Sequence, residues 1–170
     1  MDYNTILLFI ISSISLTLLP GPDILFVITT SISEGWKNGS KISLGLCTGL
    51  VIHTLLIMLG LGIFFEIYPH WIRIVEISGA AYLIYLAYDL NKASNNKQKE
   101  VSANLKKRFF LTGFIMNISN PKVSLFFIGF FPGFIFSNDL SYNLQFLILG
   151  GIFIIQALII FLMIAMLSDK

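Results

Sequence analysis

The stretch Leu18–Phe26, LLPGPDILF, places two prolines, a glycine and an aspartate inside one of the most apolar parts of the chain. Proline removes a backbone donor and disfavours helix just before it. A lone charge at the centre of a bilayer costs on the order of 2.5–3.5 kcal/mol on insertion scales. A second stretch, Ser119–Phe126, reads SNPKVSLF and repeats the arrangement with the opposite charge. A membrane segment keeps a helix break and a charge together only where the freed backbone is buried in protein or lines a cavity.

The composition supports a membrane reading. The 170 residues are 56% hydrophobic and 12% charged, with mean hydropathy +0.84. A soluble domain is nearer about 45–50% apolar and about 25% charged. With Cys47 as the single cysteine, no intramolecular disulfide forms and no thiolate metal site can be built. The N-terminus, MDYNT, has no basic region, so no cleaved signal peptide is expected. The sequence contains no Walker P-loop, no H-E-x-x-H zinc helix and no G-x-S-x-G serine, which argues against an ATPase or an enzyme. No cofactor, metal or nucleic-acid partner is expected.

A bilayer core needs about 20 apolar residues as helix. Five segments qualify: Ile6–Ile32, Ile42–Phe65, Trp71–Tyr88, Phe109–Phe136 and Leu144–Leu167. Period-2 alternation is absent, so the expected fold is an all-α integral membrane protein with helices one and four broken by proline. One membrane domain is expected over residues 1–170, with repeat one at about 5–90, a basic loop at about 91–108 and repeat two at about 109–168. Lys37 and Lys41 are read as lying between spans one and two. Lys92, Lys97, Lys99, Lys106, Lys107 and Arg108 lie between spans three and four, and Lys170 follows span five. The positive-inside rule makes these sites cytoplasmic, with the N-terminus outside and the C-terminus inside. The basic end of Asn91–Leu105 can also touch anionic lipid.

Helical rise gives depth. Counted from the cytoplasmic ends, Asp23 lies roughly 16 Å in, His53 roughly 18 Å, and Lys122 and Gln156 roughly 21 Å. Four polar residues from four spans thus converge near the midplane. Asp23 and Lys122 are expected to pair, or to face water or a polar ligand. His53 and Gln156 read equally well as helix–helix contacts, and Gly45 and Gly49 as a close-packing GxxxG pair. The two breaks also align: Pro22-Asp23 matches Pro121-Lys122, 99 residues and three spans away. An odd number of spans per unit inverts the second copy, which is the inverted-repeat pattern of transporters with midplane sites.

At these residues the sequence resembles the LysE/RhtB family of inner-membrane amino-acid exporters. The resemblance rests on LLPGPD at Leu18–Asp23, the glycines Gly35, Gly39, Gly45 and Gly49, GAAYLIYLAY at Gly79–Tyr88, and GFIMNISNPKVSLFFIGFFP at Gly113–Pro132. It implies a LysE-like inverted repeat of three plus two spans. Pro20, Gly21, Pro22 and Asp23 form the first signature; Asn120, Pro121 and Lys122 form the second. Two departures stand out: Gly133 follows Pro132 where the family usually has glutamine, and a sixth hydrophobic segment is absent.

The expected function is secondary export of a small zwitterionic or cationic amino acid across the cytoplasmic membrane, driven by the proton-motive force. Asp23, Lys122, Asn120, His53 and Gln156 are the expected substrate-binding residues, and Pro20, Gly21, Pro22 and Pro121 the hinges. A homodimer would cover the outer face of spans four and five. Two alternatives remain open: a truncated, non-transporting protein or partner subunit of the same fold, and an inorganic cation exporter with Asp23 as ligand. Lys122 opposes the latter by charge repulsion.

Overall fold

Local chemistry sets the start of the first helix. In the computed structural model, which describes residues 2–68, 70–75, 77–78, 81, 84 and 108–169, helix α1 spans Tyr3–Leu18. The Asp2 carboxylate caps it, accepting from the Asn4 N–H at 3.0 Å and the Thr5 hydroxyl at 2.6 Å. Extended Leu19 ends the helix. Helix α2 (Pro22–Glu34) then begins with proline in its first turn, where a missing N–H costs nothing. The two helices meet at 55°.

Gly35, at φ +83°, turns the chain from α2 directly into helix α3, Trp36–Ile57. That conformation favours glycine, which has no Cβ to clash. Lys37 and Lys41, between the expected first and second apolar spans, ride on the first turns of α3. A π-helical turn at Met58–Gly62 carries α3 on through Ile63–Ile67, giving a helix of 32 residues.

Helix α4 (Phe109–Ile118) and helix α5 (Pro121–Phe130) form the second bent pair, at 52°, and a 3-10 turn follows at Phe131–Phe134. Helix α6 is Tyr142–Leu167. Both expected breaks are therefore present at the expected prolines.

The described residues contain no strand. Two of their helices, α3 with its extension and α6, are long and apolar enough to cross a membrane, and each bent pair adds one crossing if counted as a unit. Half of the expected third span, Trp71–Tyr88, falls outside the described residues. Positions 71–75, 77–78, 81 and 84 of it are helical. The basic loop up to Lys107 also lies outside them.

Small residues bring the central helices together. A Cβ on Gly45 would strike the Phe110 carbonyl and the Phe114 amide, and one on Gly113 would strike the Ile42 carbonyl. The backbones of α3 and α4 are therefore in direct contact, as expected where lipid supplies no hydrophobic drive for helix association. Gly150 of α6 packs the same way against Thr54 of α3. Aromatic rings fill the space beyond. Phe127 stacks on Phe131 at 4.4 Å, and Phe126 and Phe153 meet at 5.3 Å. Ile155, Ile159, Met163 and Met166 on the outer side of α6 are exposed.

One buried amide fastens the turn before α6. Gln145, wholly inaccessible, accepts from the Phe136 and Ser137 N–H groups at 2.8 and 3.0 Å. It donates to the Ser137 and Leu140 carbonyls at 2.9 and 2.8 Å. The Asp2 N–H adds a 2.8 Å bond to the Phe136 carbonyl, which ties the start of α1 to the same turn.

Candidate functional site

The two breaks come together in space. Leu19, Gly21, Pro22 and Asp23 from the first, and Asn120 and Lys122 from the second, line one cavity. Its remaining walls are mainly apolar, with Leu50 from α3, Phe126 from α5, and Phe153 and Phe161 from α6. The centres of water-sized groups have about 50 Å³ available. That is room for a few waters, since one needs roughly 10–15 Å³ on this measure.

Each break reaches into the other. Asn120 donates its amide to both carboxylate oxygens of Asp23 at 3.4 Å. A Cβ built on Gly21 would lie 3.3 Å from the Lys122 ammonium, so that ammonium rests over the first break. Asp23 and Lys122 interact electrostatically. They share the cavity with Asn120 between them, and no salt bridge within 4.0 Å closes it among the described residues.

The helix ends differ in how they are capped. Asn120 is the N-cap of α5, and its side-chain oxygen accepts from the Lys122 N–H at 3.1 Å. At α2 the N-cap is Gly21, which has no side chain, and no side-chain hydrogen bond caps that end. Asp23 is thus part of the first turn of α2 and not its cap. Free N–H groups and the helix dipole at such an end favour an anion. The Lys122 ammonium stands directly over this end.

His53 and Gln156 hold the helix ends beside the cavity and are not among its lining residues. Pro121 has no N–H to offer the Asn117 carbonyl four residues earlier. That carbonyl is met instead by the Asn120 N–H at 3.1 Å and by His53 Nε2 at 3.3 Å. A carbonyl only accepts, so His53 carries its proton on Nε2. At the other break, Gln156 donates to the Thr17 hydroxyl at 2.9 Å, and Thr17 donates to the Ser13 carbonyl at 2.8 Å.

Sequence reasoning missed Thr17 and Asn117, which both line the cavity. Asn117 had a legible signal, because it is a polar residue in an apolar run, three positions before Asn120 and the break. The aromatic wall had none, since 16 phenylalanines are spread through the chain and only packing selects among them.

A family model described as LysE type translocator matches residues 14–170. The chain belongs to this family. The family consists of transporters, and the chain is read as a membrane transporter and not an enzyme. It is 32% identical over 154 residues to a homoserine/homoserine lactone efflux protein of Salmonella typhi, covering 89% of this chain and 74% of the relative. A homoserine/homoserine lactone efflux protein of Salmonella typhimurium is 33% identical over 144 residues, covering 84% and 69%. No solved structure matches. Both signatures, from Pro20 to Asp23 and from Asn120 to Lys122, fall within the matched residues of this LysE-type chain.

Proposed function

We propose that this LysE-type chain is a secondary exporter of a small amino acid across the cytoplasmic membrane, with substrate held between Asp23 and Lys122. The observation that carries the reading is the meeting of two oppositely charged residues, 99 positions apart, at two proline breaks around one cavity. The substrate carboxylate sits at the Lys122 ammonium and the uncapped N-terminus of α2, where charge and dipole favour an anion. The substrate ammonium sits at the Asp23 carboxylate, which Asn120 orients. The likeness to homoserine/homoserine lactone efflux proteins supports an amino-acid cargo and outward transport.

The membrane arrangement completes the reading. Five spans form a three-plus-two inverted repeat, with the N-terminus outside and the basic loop and C-terminus inside. Cross-contacts support the repeat. His53 of α3 serves the break between α4 and α5, while Gln156 of α6 serves the break between α1 and α2. Rocking about the prolines alternates access to the cavity. The proton-motive force drives export, since the sequence has no nucleotide-binding loop.

The test is efflux of a panel of amino acids from cells loaded with dipeptides. Expression of the chain should speed export of a small amino acid selectively, and Asp23→Asn or Lys122→Ala should abolish that gain while leaving the protein inserted. Full activity in either single variant would remove the assigned residue from the site. No export by the unaltered, correctly inserted protein would favour a non-transporting member of the family.

A further inference from the structure

Asn117 is the polar side chain of the cavity that the amino-acid reading leaves unused. It is 1% exposed, lines the cavity, and its carboxamide oxygen is buried with no hydrogen-bond partner. Asn120 differs: its amide serves Asp23 and its oxygen caps α5. A buried carboxamide oxygen without a partner is uncommon in folded proteins and calls for an explanation.

The surroundings of Asn117 hold it in place. Its main-chain carbonyl is fixed by His53 and by the Asn120 N–H. Its side chain packs on Gly49, where a Cβ would approach the carboxamide oxygen to 2.5 Å and Cγ to 2.8 Å. The absence of a side chain at Gly49 is therefore what makes room for this amide. Nearby cavity walls are apolar, with Leu50 and Phe126 among them. A polar group facing such walls meets few competitors for its hydrogen bonds.

Position sets what Asn117 can reach. It lies three positions before Asn120, at the last turn of α4 and on the near side of the second break. With a substrate carboxylate at Lys122 and ammonium at Asp23, the α-substituents of the amino acid are already engaged. What is left for Asn117, which lines the same cavity, is the short side chain of the substrate. We infer that the Asn117 carboxamide reads a neutral hydrogen-bonding group at the end of a short substrate side chain and thereby determines which amino acid is carried. This rests on the proposed exporter reading. Among the cavity residues Asp23 is the sole acid, so a cationic side chain would find no second carboxylate there.

Three amino acids of nearly equal size separate the possibilities: homoserine, norvaline with a methyl in place of the hydroxyl, and 2,4-diaminobutyrate with an ammonium in its place. Uptake is measured with purified protein in liposomes, after insertion of each variant is verified. The wild type should prefer homoserine over norvaline. Asn117→Leu should lower kcat/KM for homoserine by about tenfold, the worth of one hydrogen bond, with norvaline almost unchanged. Asn117→Asp, equal in size, should shift preference toward 2,4-diaminobutyrate.

A merely structural Asn117 would slow all three substrates equally in both variants, and that result overturns the inference while leaving the exporter reading intact. A wild type without preference for the hydroxyl also overturns it. Loss of all transport in Asp23→Asn marks the exporter reading as sound, so the two failures are told apart. If the wild type carries none of the three, the inference falls, and the efflux panel decides the exporter reading separately. Should Asn117→Leu fail to insert, the specificity change in Asn117→Asp decides alone.

Discussion

The two proline breaks share a pattern but finish their helices differently. At the second, Asn120 caps α5 and spends its remaining donor on Asp23. At the first, Gly21 leaves the N-terminus of α2 without a side-chain cap and lets the Lys122 ammonium come close. One break is closed on itself and the other is open. Similar sequence thus yields an anchoring half and a receiving half, because an N-cap side chain competes with a ligand for the same backbone donors. On the proposed reading, this inequivalence is what orients a zwitterionic substrate.

The sharpest way to break the comparison is a charge exchange, Asp23→Lys combined with Lys122→Asp. If the breaks are inequivalent, export stays abolished: the new lysine faces an uncapped helix N-terminus, which repels it, and Asn120 no longer has a carboxylate to orient. Recovery of export by the double variant would mean that the residues form a simple ion pair and that the capping difference is irrelevant.

A smaller effect comes from altering the caps themselves. Asn120→Ala removes a cap worth about 1 kcal/mol and should lower thermal stability together with export. Gly21→Ser supplies a cap at α2 and should leave the protein as stable or more so, yet raise KM several-fold. The cause is twofold: the added side chain crowds the Lys122 ammonium, 3.3 Å from the new Cβ, and occupies the anion site. Thermal unfolding in detergent and transport in liposomes read the two quantities separately. Parallel changes in both variants would erase the distinction between an anchoring and a receiving break.

The mildest effects should come from the residues that steady each break from outside the cavity. His53→Leu removes a bond to the carbonyl that Pro121 leaves unserved, and a few-fold loss of kcat is expected. Gln156→Leu should cost less, because the Thr17 hydroxyl keeps its 2.8 Å bond to the Ser13 carbonyl. Equal losses, measured side by side in the liposome assay, would show that both clasps act alike.

Much of the fold was legible because the bilayer imposes simple requirements. Apolar length marked α3 and α6, and the prolines marked both bends. Apolar length did not show where the helix between the first two spans begins: Gly35 makes the turn, and Lys37 and Lys41 ride on the helix that follows. Glycine spacing announced close packing, and Gly45 and Gly49 do meet α4, though the sequence could not name Phe110 or Asn117 as what they meet. Within the candidate site, Asp23, Asn120 and Lys122 were legible because charges and prolines are costly in a membrane and so are informative. His53 and Gln156 stood out on the same ground. Both bond to another helix and neither lines the cavity, a distinction that a polar residue in an apolar run does not reveal.

The sequence by itself determined that this is a helical membrane chain of the LysE type, with two charged breaks of opposite sign. Those properties follow from composition and local backbone chemistry, which depend on neighbours along the chain. Tertiary structure alone decided that Asn120 and not Lys122 holds the Asp23 carboxylate, and that Asn117 lines the cavity with its carboxamide packed on Gly49. These depend on distances between helices about a hundred residues apart, set by where glycines let backbones touch, and no local rule encodes them.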